Sequence, residues 1–142
     1  MIALLILAIL PNLAITPGAV RTTDKAAICN TRTGTLRHVT ASDHRKVFAL
    51  YGIKCAKSCS HSYEVDHLIS LEIGGTNDIT NLWPEPYEPR PGAHEKDVLE
   101  NKLHKMICDG DISPVDAQKQ ISTDWWKAYQ RYVKKADSRL GR

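Results

Sequence analysis

Tyr63-Glu64-Val65-Asp66-His67-Leu68-Ile69-Ser70-Leu71 runs into the turn Gly74-Gly75-Thr76-Asn77-Asp78. It returns through Asn81-Leu82-Trp83 and, past a proline-rich stretch, reaches Glu95-Lys96-Asp97-Val98-Leu99-Glu100-Asn101-Lys102-Leu103-His104. Residues 63–71 carry the large apolar side chains that suit a strand. The glycines with Asn77 and Asp78 predict a turn over 72–78, and 79–83 read as a second, short strand. Pro84, Pro86, Pro89 and Pro91 exclude regular structure until Gly92. From 93 to 108, Val98, Leu99, Leu103, Met106 and Ile107 recur with helical period, and Asp109-Gly110 stops the helix. Strand, turn, strand and helix make an α+β core over 63–108.

Outward from that core the signals are helical. Ser42 is a candidate N-cap for a helix over 43–51 that presents Val47, Leu50 and Tyr51 on one face, with Gly52 as its stop. Ser113-Pro114 opens a helix to about Ile121, and Thr123-Asp124 restarts one carrying Trp125, Trp126, Tyr129, Tyr132 and Val133. These give C-terminal helices over 113–136. The spacing of Trp125, Tyr129 and Tyr132 favours core packing over stacking on nucleic-acid bases. The end, 131–142, is basic.

The chain has 142 residues, 19 basic and 16 acidic, for a net charge of +3. That excess is too mild to argue for nucleic acid by itself. Residues 1–19 carry no charge, and 1–10 are almost wholly aliphatic. Prolines break the run before it reaches the ~20 apolar residues of a spanning helix. It reads as a signal peptide with Ala14 or Ala19 as cleavage positions, an N-terminal anchor being the alternative. Residues 20–142 then form one domain, secreted or periplasmic. An exported chain with four cysteines predicts two disulfides. The near neighbours Cys55 and Cys59 pair with each other, leaving Cys29 for Cys108. A zinc-thiolate site built from Cys55, Cys59 and His61 is the competing use.

Phosphodiester hydrolysis needs an attacking water, a base and positive charge at the phosphorus. His67 is a suitable base near neutral pH, and the neighbouring Asp66 supplies the hard oxygen that a divalent cation prefers. Asn81, across the hairpin, is placed to hold one ring nitrogen of His67 and so fix its tautomer. On the helix, Asp97, Glu100, Asn101 and His104 share a side. Lys96 and Lys102 are candidates for phosphate-backbone contacts. His38, His61 and His94 read as surface residues.

Taken together, Glu64-x-Asp66-His67-Leu68, Gly74-Gly75-x-Asn77-Asp78-x-x-Asn81-Leu82-Trp83 and Lys96-Asp97-x-x-Glu100-Asn101-x-Leu103-His104 resemble the HNH endonucleases. The nearest likeness is to small exported or phage-borne members, in which a Leu-His pair is followed shortly by Cys, here Cys108. The match covers about 63–125. The resemblance implies a ββα-metal finger within a mostly helical small domain. It implies one divalent ion, magnesium with manganese or zinc as substitutes, and double-stranded DNA as substrate, with RNA as the alternative. On matching positions it makes Asp66 the first metal ligand, His67 the general base and Asn81 its orienting partner. The helix ligand is His104 or Asn101, with His104 preferred. Two departures stand out: 84–92 delay the helix, and there is no second cysteine pair for a structural zinc, so disulfides stand in its place. A ββα module that binds metal or nucleic acid without cutting is the other reading, and a disulfide-tied structural protein a third. No feature points to a particular inhibitor protein.

Overall fold

The computed structural model describes residues 9–55 and 58–135. It is an α+β chain: α1 (Lys25–Asn30), α2 (Ala41–Leu50), β1 (Tyr63–His67), β2 (Leu82–Pro86), α3 (Ala93–Asp109) and α4 (Pro114–Tyr129), the last continuing into a π-helical turn, Gln130–Lys134. The two strands pair antiparallel, with Tyr63 opposite Pro86, Val65 opposite Pro84 and His67 opposite Leu82.

The strands sit where local chemistry and tertiary demand meet. β1 ends at His67, shorter than its apolar run predicts, because after the Leu68 N–H bond to Asn81 O the chain leaves the ladder and enters the core through a tight turn at Leu71–Ile73. β2 begins later than expected and runs through two prolines. A two-stranded ribbon has two edge strands, so every second N–H points away from the partner. Pro84 and Pro86 share that outward parity and give up no ladder donor. Asn81, Trp83 and Glu85 have the inward parity, and the Asn81 carbonyl accepts from Leu68 N at 2.8 Å.

The helices follow their signals with small shifts. Thr40, not Ser42, caps α2, exchanging bonds with Asp43 in a capping box. Ser113 caps α4, with Pro114 in its first turn. Asp124 breaks α4 with extended backbone angles, and its carboxylate accepts from Lys127 N at 2.9 Å, so the helix restarts there as the sequence indicates. One face of α3 buries Leu99, Leu103 and Ile107, while Val98 is exposed.

The main core joins Ile28, Leu68, Ile69, Ile73, Trp83, α3 and α4, with Trp125 at its centre and Tyr129 and Tyr132 packed at its margin. The tryptophan–tyrosine stripe is core. A smaller cluster of Val47, Val65 and Leu82 seats α2 on the other face of the hairpin. Disulfides join Cys29 to Cys108 and Cys55 to Cys59. The first closes a loop of 79 residues, worth about 4 kcal/mol by the chain-entropy argument. Both cysteine pairs are thus oxidised, and a thiolate zinc site has no ligands left. Disulfides of this kind fit an oxidising compartment. No helix among the described residues is long and apolar enough to cross a membrane.

Residues 9–19, read from sequence as part of a leader, are packed into this fold, while 1–8 lie outside the described residues. Ile9 is buried, and its carbonyl accepts from Trp125 Nε1 at 2.8 Å. The buried Thr16 hydroxyl donates to Leu82 O at 3.0 Å and meets the Tyr51 hydroxyl at 2.7 Å. Gly18 N bonds Thr80 O, Thr76 N bonds Ala19 O, and Val20 bridges Gly75. A chain starting at Val20 is expected to lose about 3 kcal/mol or more against one starting at Ile9 in urea unfolding. Equal midpoints would show that the segment is dispensable.

Candidate active site

Adjacent strand residues face opposite ways, and Asp66 and His67 obey that rule. Asp66 turns towards α3, where its Oδ2 accepts from Lys96 Nζ at 2.7 Å. The ammonium also donates to His67 O at 2.8 Å and to Glu100 Oε1. Glu85 of β2 closes the group; it is buried, its oxygens accept from no donor among the described residues, and its carboxyl lies against that of Asp66. Lys96, expected at a nucleic-acid surface, has 0% of its surface exposed and does not reach a phosphate backbone. Lys102 stays half-exposed.

Three carboxyls around one buried ammonium do not all ionise. Burial works against the Asp66 carboxylate, yet the Lys96 ammonium outweighs it and holds the group below its ordinary range. Burial pushes Glu100 up to about 8 in spite of the same ammonium, and Glu85 well above its usual value. Burial also works against the charge of Lys96, but Asp66, Glu100 and Glu85 raise it. The cluster is therefore close to one ion pair, Lys96 with Asp66, while Glu100 and Glu85 are both shifted towards their neutral forms.

His67 turns the other way and meets Asn77, not Asn81. Asn77 Nδ2 donates to Leu36 O at 2.8 Å, and its Oδ1 accepts from His38 N at 3.1 Å, which fixes which end of the amide is which. The Oδ1 atom lies 3.0 Å from His67 Nε2. An amide oxygen only accepts, so Nε2 carries the hydrogen and Nδ1 keeps its lone pair. Burial is the largest influence on the imidazole and lowers its pKa, opposed by Asn77 and Asp66 and aided by Arg37 and Lys96. His67 is neutral at pH 7 with Nδ1 ready to accept a proton.

Asn81, expected to orient His67, has a different job. It is fully buried; its Oδ1 accepts from Ile69 N at 2.9 Å and Ala19 N at 3.3 Å, and its Nδ2 donates to Ile69 O at 2.9 Å and Thr76 O at 2.8 Å. These bonds close the loop between the strands. That loop admits only glycine at two places. Gly74 has φ +98° and a Cβ there would meet Thr22 O at 2.3 Å; a Cβ on Gly75 would meet Ile69 O at 1.8 Å.

The expected metal ligands do not form a set. The Asp66 charge is taken by Lys96. His104 Nδ1 donates to Glu72 O at 2.6 Å, pinning α3 to the Leu71–Ile73 turn, and its Nε2 is 3.7 Å from Cys108 Sγ. Asn101 is exposed. Among the described residues no group of three or more His, Cys, Asp or Glu side chains is placed to hold a metal ion. The residues expected to hold the implied divalent ion thus lie apart in this arrangement, and no step below passes through an ion. Acidic groups do gather near the hairpin and α3: burial raises Glu64, Glu72 and Asp97, and neighbouring carboxylates add to the effect.

Neither protein-family models, nor curated proteins, nor solved structures give a match to this chain. The site is read on its own geometry.

Two measurements check this placement. Lys96→Met leaves a buried carboxylate without its cation and is expected to cost about 3–5 kcal/mol in chemical denaturation at neutral pH, whereas an exposed Lys119→Ala is expected to stay within about 0.5 kcal/mol. Ring-nitrogen NMR of His67 should report the Nε2–H tautomer, with Asn77→Ala shifting it towards a mixture. An Nδ1–H signal in the unmodified protein would reverse the assignment.

Proposed function

We propose that this chain is an HNH-type endonuclease of the ββα-metal class that hydrolyses phosphodiester bonds in DNA outside the cytoplasm. The observation that carries the reading is the imidazole of His67, neutral, held through Nε2 by Asn77 and free at Nδ1. The order of strand, long loop, strand and helix around it agrees with the finger that the sequence resemblance implies. The disulfides agree with export.

In this reading Nδ1 of His67 takes a proton from a water molecule as the water oxygen bonds to phosphorus. The bond from phosphorus to the 3′ oxygen breaks, and the leaving oxygen collects a proton from solvent. Asn77 holds the ring in the tautomer that makes Nδ1 the acceptor. Asn81 acts through the loop that carries Asn77. The magnesium, manganese or zinc ion that the resemblance implies would supply positive charge to the phosphorane.

The test is digestion of supercoiled plasmid and of a structured RNA by the oxidised protein, with Mg²⁺, Mn²⁺, Zn²⁺ or EDTA. DNA cleavage is expected, and His67→Ala is expected to slow it by about 10²–10⁴-fold, the usual worth of a general base. Equal rates with His67→Ala would remove that role. Inactivity of the folded, oxidised protein with every metal would favour the non-catalytic binding module instead.

A further inference from the structure

Asn77 does more than hold His67. Its amide bonds the backbone on both sides of Arg37: Nδ2 donates to Leu36 O at 2.8 Å, and Oδ1 accepts from His38 N at 3.1 Å. The same Oδ1 accepts from His67 Nε2 at 3.0 Å. One buried-edge amide therefore fixes the Arg37 backbone relative to the imidazole.

Arg37 is exposed, and its guanidinium has no ion pair or hydrogen bond with a described residue. Its charge nonetheless reaches the site, disfavouring the imidazolium of His67 and favouring the carboxylates of Glu64 and Asp97. Lys96, the other cation that influences His67, is sealed in the core. A base that activates water beside an anionic phosphodiester needs a reachable cation. A guanidinium is suited to that task because its planar N–H fork matches two phosphate oxygens at once.

We propose that Arg37 is the phosphate-binding residue of this site. Its guanidinium takes the non-bridging oxygens of the phosphodiester whose phosphorus is attacked by the water that His67 deprotonates. Arg37 keeps its protons throughout. The proposal rests on the hydrolase reading above and adds the residue that recognises the substrate's charge.

The test separates binding from turnover. A labelled duplex oligonucleotide is titrated in EDTA at several salt concentrations and followed by fluorescence anisotropy. The proteins are the full chain, Arg37→Ala, Arg37→Lys, His67→Ala and, as a charge control remote from the site, Lys119→Ala. Cleavage is measured in parallel with a divalent ion present. Arg37→Ala is expected to bind about tenfold more weakly and to flatten the plot of log K against log salt by about 0.9, the loss of one phosphate contact. Its kcat/KM is expected to fall tenfold or more with an unchanged melting temperature. Arg37→Lys should restore the salt slope but not kcat/KM, because an ammonium lacks the fork. Lys119→Ala should leave kcat/KM within twofold. The proposal is overturned if Arg37→Ala matches Lys119→Ala in both salt slope and kcat/KM. Failure of the hydrolase reading looks different: the wild type cuts nothing, while Arg37→Ala still loses, and His67→Ala still keeps, affinity for the duplex.

Discussion

A single buried ammonium holds the hairpin against the helix. Lys96 leaves water completely, which is tolerable only because Asp66, Glu100 and the carbonyl of His67 surround it. Those partners come from β1 and α3, so the charge must be neutralised in the same step that docks the helix. The contact with His67 O also anchors the last residue of β1. Position of the imidazole, pairing of Asp66 and orientation of α3 therefore depend on one side chain. Glu85 is the cost of the arrangement: it is buried against Asp66, accepts from no donor among the described residues, and burial pushes its carboxyl well above the usual range.

The loop from Leu68 to Asn81 is the second constraint, and it is built mainly from backbone. Asn81 satisfies backbone groups at Ile69, Thr76 and Ala19, and glycine at 75 lets Ile69 O approach where a side chain would collide. The segment around Gly18 and Ala19 then closes the loop from outside. Within that frame Asn77 has no freedom to turn. Its three bonds fix His67 to the stretch around Arg37, which lies about 40 residues before Asn77 along the chain.

Much of the scaffold was legible in the sequence because its signals are local. The α3 period, the cap at Ser113, the restart at Asp124 and both disulfides follow from residue type and spacing. The strand bounds were harder. Pro84 reads as a breaker unless the strand is known to lie at an edge, and Ile79–Asn81 form a 3₁₀ turn in place of a strand start. Lys96 could not be placed, since a lysine on a polar helix face is far more often solvated than buried. Choosing between Asn77 and Asn81 needed the path of the loop. Both lie in one short motif, and only the fold shows that one bonds the ring and the other the backbone. The contacts of residues 9–19 were not legible for a similar reason: an apolar run before small residues carries no local signal of the Trp125 indole that bonds Ile9 O.

The Asp66-His67 pair shows how sequence adjacency and chemical partnership diverge. In a strand the two side chains leave on opposite faces, so a dipeptide that reads as one site is divided between two. Asp66 goes to the core, where its charge is used to bury Lys96. His67 goes to the opposite face, where it is itself almost fully buried; burial lowers its pKa and Asn77 chooses its tautomer. Any cation that assists His67 must then come from the face His67 shares with Asn77, because Lys96 on the other face is sealed in the core. That requirement is met by the Leu36–His38 segment, which Asn77 draws to the imidazole and which carries the exposed guanidinium of Arg37. Alternation along five residues of β1 thus decides which groups build the molecule and which remain available for chemistry.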